Sequence, residues 1–334
     1  MDTLAEYIPG IDPYPPYLLV AITVFIEYGI FDVYNYFISG YNSFLVEPTS
    51  LAVPAMVILA VVGTRYIHDT YASAIGALRL DERDLDGDLT AFEGLLSFRV
   101  RLAATAVAWV GIQAFNVFVL GIGNLVEIDG IGLVIYGQFA FLLVYIPVLV
   151  EFGLSYLAVH FVVPRRLSHS SIDMFFHDPR KMGGFQPIGE LLKRSYYLYT
   201  ATLILYFIQT KGPVLLSRYT ASPYRVPNAP IIEAVLSVGW LVGVGTLAYS
   251  MHRVHTLMKS QKDQRIRELE RELTDVMDQP YDIREVEITD KERYDTIQDR
   301  LQHVRDTATY PTTFTMWSQI FVSALLPQAL NFVV

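Results

Sequence analysis

The 334-residue chain contains no cysteine, which excludes disulfide bonds and thiolate metal sites. It is also poor in charge: charged residues make up 18% of the sequence, against about 25% in typical soluble domains. Long stretches without any charge alternate with short, densely charged segments, and 52% of all residues are apolar. This alternation indicates a chain that passes repeatedly between lipid and water.

The first 16 residues contain no lysine or arginine, and no small-residue cleavage site follows them. A secretory signal peptide needs both features, so we expect the N-terminus to be retained. Acidic residues outnumber basic ones by 34 to 25. High salt screens the repulsion within such a chain, so this balance favours a halophilic source.

Seven apolar stretches are long enough to consider as membrane spans. They cover residues 17–38, 51–62, 102–125, 131–163, 196–209, 231–250 and 314–334. The fourth would be roughly 50 Å long as a helix, more than the roughly 30 Å hydrocarbon core, so it must tilt or project from the membrane. The predicted fold is an all-α, polytopic transmembrane bundle of six or seven spans, with a small cytoplasmic helical hairpin.

Basic residues fix the predicted orientation. Residues 65–101, 165–194 and 253–305 together hold 22 of them, and the connections on the opposite side hold three. The positive-inside rule places the three rich segments in the cytoplasm. The chain then divides into a bundle (1–250) with cytoplasmic loops 64–101 and 164–195, a cytoplasmic hairpin (251–313) and a C-terminal apolar membrane segment (314–334). The side of the N-terminus stays open, because no base flanks residues 17–38.

The hairpin is predicted from two apolar stripes with helical spacing, one on each side of Pro280. The first comprises Ile266, Leu269, Leu273 and Val276, and the second Tyr294, Ile297, Leu301 and Val304. Thr289 and Glu292 have the spacing of a capping box that would open the second helix. Two heptads are too few for a free-standing coiled coil. The alternatives are a solvated hairpin folded against its own protein and a surface for oligomerisation or for a cytoplasmic partner.

An acidic segment, residues 82–93, has oxygen-bearing side chains on alternate positions, a glycine at position 87 and an acid twelve residues after its start. The segment resembles an EF-hand calcium loop, with Glu82 departing from the usual aspartate at the start. The resemblance implies binding of Ca²⁺ or another divalent cation. The implied ligands are Asp84, Asp86 and Glu93, with Asp88 contributing its backbone carbonyl. The alternative is a solvated acidic run.

The loop before the fifth stretch has the pattern DP-x3-GGF-x-P-x-G, from Asp178 to Gly189. It is similar to a signature of uncharacterised prokaryotic, haloarchaeal multi-pass membrane proteins, which implies no particular activity. Paired glycines beside Arg180 and Lys181, close to a helix start, could hold an anion or lipid head group on free amides. A tight turn is the alternative. Arg165 and Arg166 are predicted interfacial anchors that could also meet lipid head groups.

Polar side chains also occur at membrane depth. Glu27, Asp32 and Glu151 would each cost about 2.5–3.5 kcal/mol if they faced lipid. Gln113 and Asn116 belong to one polar stripe on the third stretch, and Glu151 and Ser155 to another on the fourth. No lysine or arginine lies in any predicted span, so we expect Glu151 to face a hydrated cavity. Polar contacts between helices are the alternative to such a conduction path.

These features favour an oligomeric ion-conducting channel or pore, built as a homo-oligomer in the bilayer, with cytoplasmic control elements. The alternative is a membrane-anchored sensor or docking protein whose hairpin recruits a partner. A secondary transporter ranks third, because no repeated halves with broken helices are visible. No catalytic motif occurs, so an enzyme is not predicted. We expect no nucleic-acid partner.

Overall fold

A computed structural model describes residues 17–39, 44–79, 92, 95–170, 172–216, 230–281 and 287–311. Nearly all of this chain is helical. The helices are α1 (Tyr17–Val24), α2 (Val33–Ser39), α3 (Ala52–Ala77), α4 (Phe98–Phe115), α5 (Ile122–Ala140), α6 (Ile146–Leu157), α7 (Val163–His169), α8 (Gln186–Leu216), α9 (Pro230–Thr274) and α10 (Lys291–Asp306). The all-α prediction is therefore confirmed at the level of class.

Several helices join end to end through wider turns. π-helical segments connect α1 to α2 (Phe25–Asp32), extend α4 (Asn116–Leu120), and link α5, α6 and α7 (Phe141–Tyr145 and Ala158–Val162). Within α5, Gly130 adopts a φ of 77°, which breaks the helix just before the predicted fourth span. From Gly130 the chain continues as one 40-residue helical unit to His169.

Among the described residues, five helical units are long and apolar enough to cross a membrane. They are Tyr17–Ile38, Pro48–Ala77, Phe98–Phe118, Gly130–His169 and Ala234–Thr274. The fifth predicted stretch lies in α8, whose N-terminal half carries Glu190, Lys193 and Arg194 and which is not among the five. Residues 314–334 lie outside the described residues. The chain is thus a membrane protein by its helices, and the sixth and seventh crossings stay predictions.

Helix α8 lies at the centre of the bundle, packed against both α3 and α9. Small residues allow close approaches between these helices and to α6. A Cβ on Gly63 would lie 2.8 Å from the Phe152 ring, and one on Gly243 would lie 2.7 Å from the Tyr199 ring. The resulting core runs from Val20 in α1 to Met258 in α9. Helix α4 has no buried residue and forms the outer edge of the bundle.

Beyond Ser250, α9 continues without interruption into a second, smaller packing unit. We call residues 251–281 and 287–311 the head. Its helices α9 and α10 enclose Leu269, Val276, Ile297, Leu301 and Val304. A two-residue antiparallel pairing, Met277–Asp278 with Glu287–Ile288, lies between the helices. The cap of α10 is Asp290, whose carboxylate accepts from the Arg293 backbone N–H at 3.0 Å, so the predicted Thr289 capping box was wrong by one residue.

Candidate functional site

The buried carboxylate of Glu151 has a cationic partner, contrary to expectation. Arg101 Nη1 lies 3.2 Å from Glu151 Oε1, and their side chains are only 12% and 9% exposed. The sequence placed Arg101 outside the third span, but α4 begins at Phe98, so Arg101 lies in its first turn. The premise that no base could reach Glu151 was therefore wrong, and the pair needs no hydrated cavity to compensate the charge.

The other two intramembrane carboxylates also have partners within the chain. The Tyr145 hydroxyl donates to Glu27, and the backbone N–H of Phe44 donates to Asp32 Oδ2 at 2.8 Å. Each contact joins two separate elements: the first links the Phe25–Asp32 turn to the end of Phe141–Tyr145. Both carboxylates therefore connect separate segments of the same chain.

The residues of the two predicted polar stripes take part in several separate contacts. Gln113 Nε2 donates to Gln138 Oε1 at 2.6 Å, which joins α4 to α5. Ser155 Oγ lies 3.1 Å from His68 Nε2 on α3. Asn116 accepts from the Gly121 backbone N–H through its own carbonyl, at 2.9 Å. Gln113 and Ser155 thus connect different helix pairs, as expected of polar contacts that hold a bundle together, whereas the Asn116 bond closes its own π-helical turn.

A buried polar network that the sequence analysis missed joins α6, α8 and α9. His160, fully buried, lies 2.9 Å from Ser250 Oγ through Nδ1 and 3.2 Å from Ser195 Oγ through Nε2. One turn earlier, Tyr156 Oη lies 2.6 Å from Thr246 Oγ1 and its ring stacks on Tyr199 at 4.2 Å. These groups fix the relative position of three helices.

The spacing of polar residues in the sequence indicates this network. Its residues occur as three pairs spaced by four: Tyr156 and His160, Ser195 and Tyr199, and Thr246 and Ser250. Residues four apart lie on the same face of a helix, so three such pairs in three apolar helices predict a shared polar contact. The predicted polar contacts came instead from the charged residues and the stripes beside them.

The loop of residues 172–185, here called the base loop, contains a carboxylate that binds its backbone amides. The Asp178 carboxylate accepts from the backbone N–H groups of Gly184 at 2.9 Å, Arg180 at 3.0 Å and Met182 at 3.1 Å. Partial burial alone would raise the pKa of Asp178, but these three donors lower it below its ordinary value. The amides predicted to be free for an external anion are thus occupied by Asp178.

The two basic residues of the base loop are also engaged. Arg180 Nη1 donates to Gln186, and Lys181 Nζ lies 3.0 Å from Asp306 Oδ2 at the end of α10. Lys181 holds the pKa of Asp306 below its ordinary value through this hydrogen bond and its charge. The predicted anion site is therefore a joint between the loop and the head.

The glycines and the phenylalanine of the loop signature have structural roles. Gly183 and Gly184 adopt φ values of 61° and 76°, which favour glycine. Phe185 is fully buried in the bundle core. A Cβ on Gly189 would lie 2.0 Å from the Pro311 carbonyl oxygen, so only glycine lets the chain pass there. The pattern therefore forms a turn, and the end of the head at Pro311 packs against the helix start that follows it.

Further contacts fix the end of α10 to α9 within the head and to the base loop. Lys262 Nζ donates to the carbonyls of Arg305 and Thr307, both at 2.6 Å, where α10 ends. The Ala308 backbone N–H donates to the Lys181 carbonyl at 2.7 Å. His255 stacks on Tyr310 with ring centroids 4.0 Å apart. The head is consequently fixed along both the base loop and α9.

The remaining predicted sites separate into two groups. Arg166 lies beside the Tyr71 hydroxyl, and Arg165, on the same helix, is exposed. Asp84, Asp86, Asp88 and Glu93 lie outside the described residues, so calcium binding stays a prediction. In the part of the chain that is described, no three His, Asp or Glu side chains are grouped as metal ligands would be.

Comparisons with protein-family models, with curated proteins and with solved structures find no match for this chain. Its function must therefore be argued from its own residues.

Proposed function

We propose that this chain is a membrane-anchored docking or sensing protein whose head presents a partner-binding surface at the cytoplasmic face. The observation that carries the proposal is α9, a single helix of 45 residues. At 1.5 Å per residue it is about 67 Å long, roughly twice the thickness of the hydrocarbon core. The same helix thus contributes both to the bundle and to the head.

Rigid attachment of the head supports this role. Lys262, Lys181 and His255 tie the end of α10 to α9 and to the base loop. Closer to the N-terminus of α9, contacts with His160 and Tyr156 hold this helix inside the bundle. A displacement of α9 in the membrane is therefore transmitted to the head as a displacement of the whole unit.

The head also offers a surface that a protein partner could use. A shallow groove of about 440 Å³ lies across α9 and α10. It is lined by both signs of charge around one apolar side chain: Glu272, Asp290, Glu292, Arg293, Thr296, Ile297 and Arg300. Such a mixed surface suits a polar, charge-complementary partner more than a lipid tail.

Photocrosslinking in intact cells tests the proposal. A photoreactive residue at Thr296, in the groove, should give a discrete adduct with another protein, and one at the exposed Ser260 should not. Reversing the groove charge with Arg300→Glu should abolish the adduct, whereas reversing the exposed Lys259 should leave it. Adducts only with lipid or with other copies of this chain would contradict the proposal.

An oligomeric pore is the second candidate. Glu27, Asp32 and Glu151 lie within candidate spans, where carboxylates often mark ion pathways, although each also has a partner within the chain. A pore requires several subunits, so the subunit number measured by light scattering in detergent should exceed one. Glu151→Gln should then alter ion selectivity in reconstituted bilayers. A monomer, or currents that Glu151→Gln leaves unchanged, would count against the pore.

A further inference from the structure

The seam between two parallel helical segments is lined on one side by exposed aromatic rings. Segment 146–169 and helix α9 run side by side, joined by the contacts of His160 with Ser250 and of Tyr156 with Thr246. Helix α8 closes one side of the seam through Ser195. On the other side Phe161 and Tyr249 meet with ring centroids 5.0 Å apart, and they remain 41% and 37% exposed.

Two arginines follow that aromatic pair. Arg165 and Arg253 each lie four residues, about one helical turn, beyond Phe161 and Tyr249, and both segments run in the same direction. Within the described part of the chain, neither arginine forms an ion pair with an acid. The Nε of Arg253 is buried and lacks a hydrogen-bond partner among those residues.

Each arginine is also the first basic residue after a long apolar run. On segment 146–169 no lysine or arginine precedes Arg165, and on α9 none precedes Arg253. Basic residues in such positions lie near the interface between hydrocarbon and water. The seam therefore places two uncompensated positive charges at lipid head-group depth, next to exposed aromatic rings and apolar side chains such as Val242.

We propose that this seam binds an anionic phospholipid, with its phosphate on Arg165 and Arg253 and an acyl chain along Phe161, Tyr249 and Val242. A guanidinium offers paired donors that match phosphate oxygens. The charge complementarity and the exposed apolar side chains together favour a lipid over a soluble phosphate. This inference is independent of the docking role of the head.

Native mass spectrometry of the full-length protein in neutral detergent tests the site. Titration with phosphatidylglycerol should reveal one tight binding event that phosphatidylcholine does not reproduce. Arg165→Gln with Arg253→Gln should weaken that event about 30-fold, since each basic residue near a membrane surface contributes about a factor of five. The control, Arg65→Gln with Arg99→Gln, removes two arginines from other helices, α3 and α4, and should change binding less than twofold.

A second pair of variants tests the acyl-chain contact without changing charge. Val242→Trp should displace the acyl chain from this face and weaken phosphatidylglycerol binding, whereas Val107→Trp on the exposed face of α4 should not. Equal losses in both arginine pairs would overturn the proposal, because they would indicate only a general surface potential. Displacement of the lipid by millimolar inorganic phosphate would also overturn it, since the site would then take soluble anions.

Discussion

The bundle and the head both have apolar cores, but they differ in their buried polar groups and in the side chains that they expose. The bundle encloses ionised and polar groups such as Arg101, Glu151 and His160, while its outer helix α4 exposes Val107 and other apolar residues. The head encloses five apolar side chains and exposes charged ones. The difference follows from the surrounding solvent. In lipid, pairing of polar groups inside the protein stabilises the fold, whereas in water the burial of apolar side chains does. Polar contacts should therefore dominate specificity in the bundle, and apolar packing should dominate in the head.

The largest effect is expected from breaking the buried ion pair of the bundle. Arg101→Ala leaves the Glu151 carboxylate uncompensated, which should destabilise the bundle by about 3–5 kcal/mol. Thermal unfolding followed by circular dichroism in detergent measures the loss. Arg101→Met combined with Glu151→Leu should recover most of it, because neither charge then remains buried. An unchanged melting temperature in Arg101→Ala would show that water compensates Glu151.

Truncating the head core should have a slightly smaller and more local effect. Leu301 is 2% exposed, and Leu301→Ala should cost about 2–4 kcal/mol through the cavity it creates. Limited proteolysis should then cut residues 251–311 faster and leave the bundle intact. The matched control is Leu241→Ala on the bundle exterior, where the side chain is 73% exposed. Equal destabilisation by both variants would contradict the comparison of the two regions.

The buried histidine network should contribute less than either of these. His160→Leu removes two side-chain contacts, but Ser195 and Ser250 keep backbone acceptors in their own helices. We therefore expect a loss of about 1–2 kcal/mol in thermal unfolding. His303→Leu, at a half-exposed histidine of the head, serves as the control and should be nearly neutral. A larger loss from His303 than from His160 would reverse the assignment.

Acid should loosen the joint between head and bundle by the smallest amount. The pKa values of Asp178 and Asp306 are both lowered in the folded protein. Their contribution is therefore present above the ordinary pKa of 3.8 and is lost as the pH falls below it. Pepsin, which is active in this range, should cut the head faster at pH 3 than at pH 4.5. Asp178→Asn should reduce that pH dependence, and the exposed Asp295→Asn should not.

The sequence was most informative where hydrophobic periodicity decides the structure. The stripe residues Leu269, Ile297 and Leu301 all proved buried together, because the 3.6-residue period leaves one face for the core. The apolar runs located the candidate spans for the same reason, although α3 extends fifteen residues beyond the predicted end at residue 62.

Pairings between distant residues could not be predicted in the same way. Arg101 and Glu151 are 50 residues apart, and nothing local in the sequence indicates which helices become neighbours. The contacts within the base loop could not be predicted for a related reason. Glycines beside basic residues fit an anion site and a turn equally well, and only the folded backbone places the Asp178 carboxylate on those amides.

The close passage of Pro311 over Gly189 has a mechanical consequence. The head leaves the bundle through α9 and its far end returns to the first turns of α8, so it is attached at two points. A rod fixed at one point swings freely and averages out small tilts of its support. A body fixed at two points varies little in orientation. A tilt of α9 by a few degrees therefore gives a reproducible change in the direction in which the head faces.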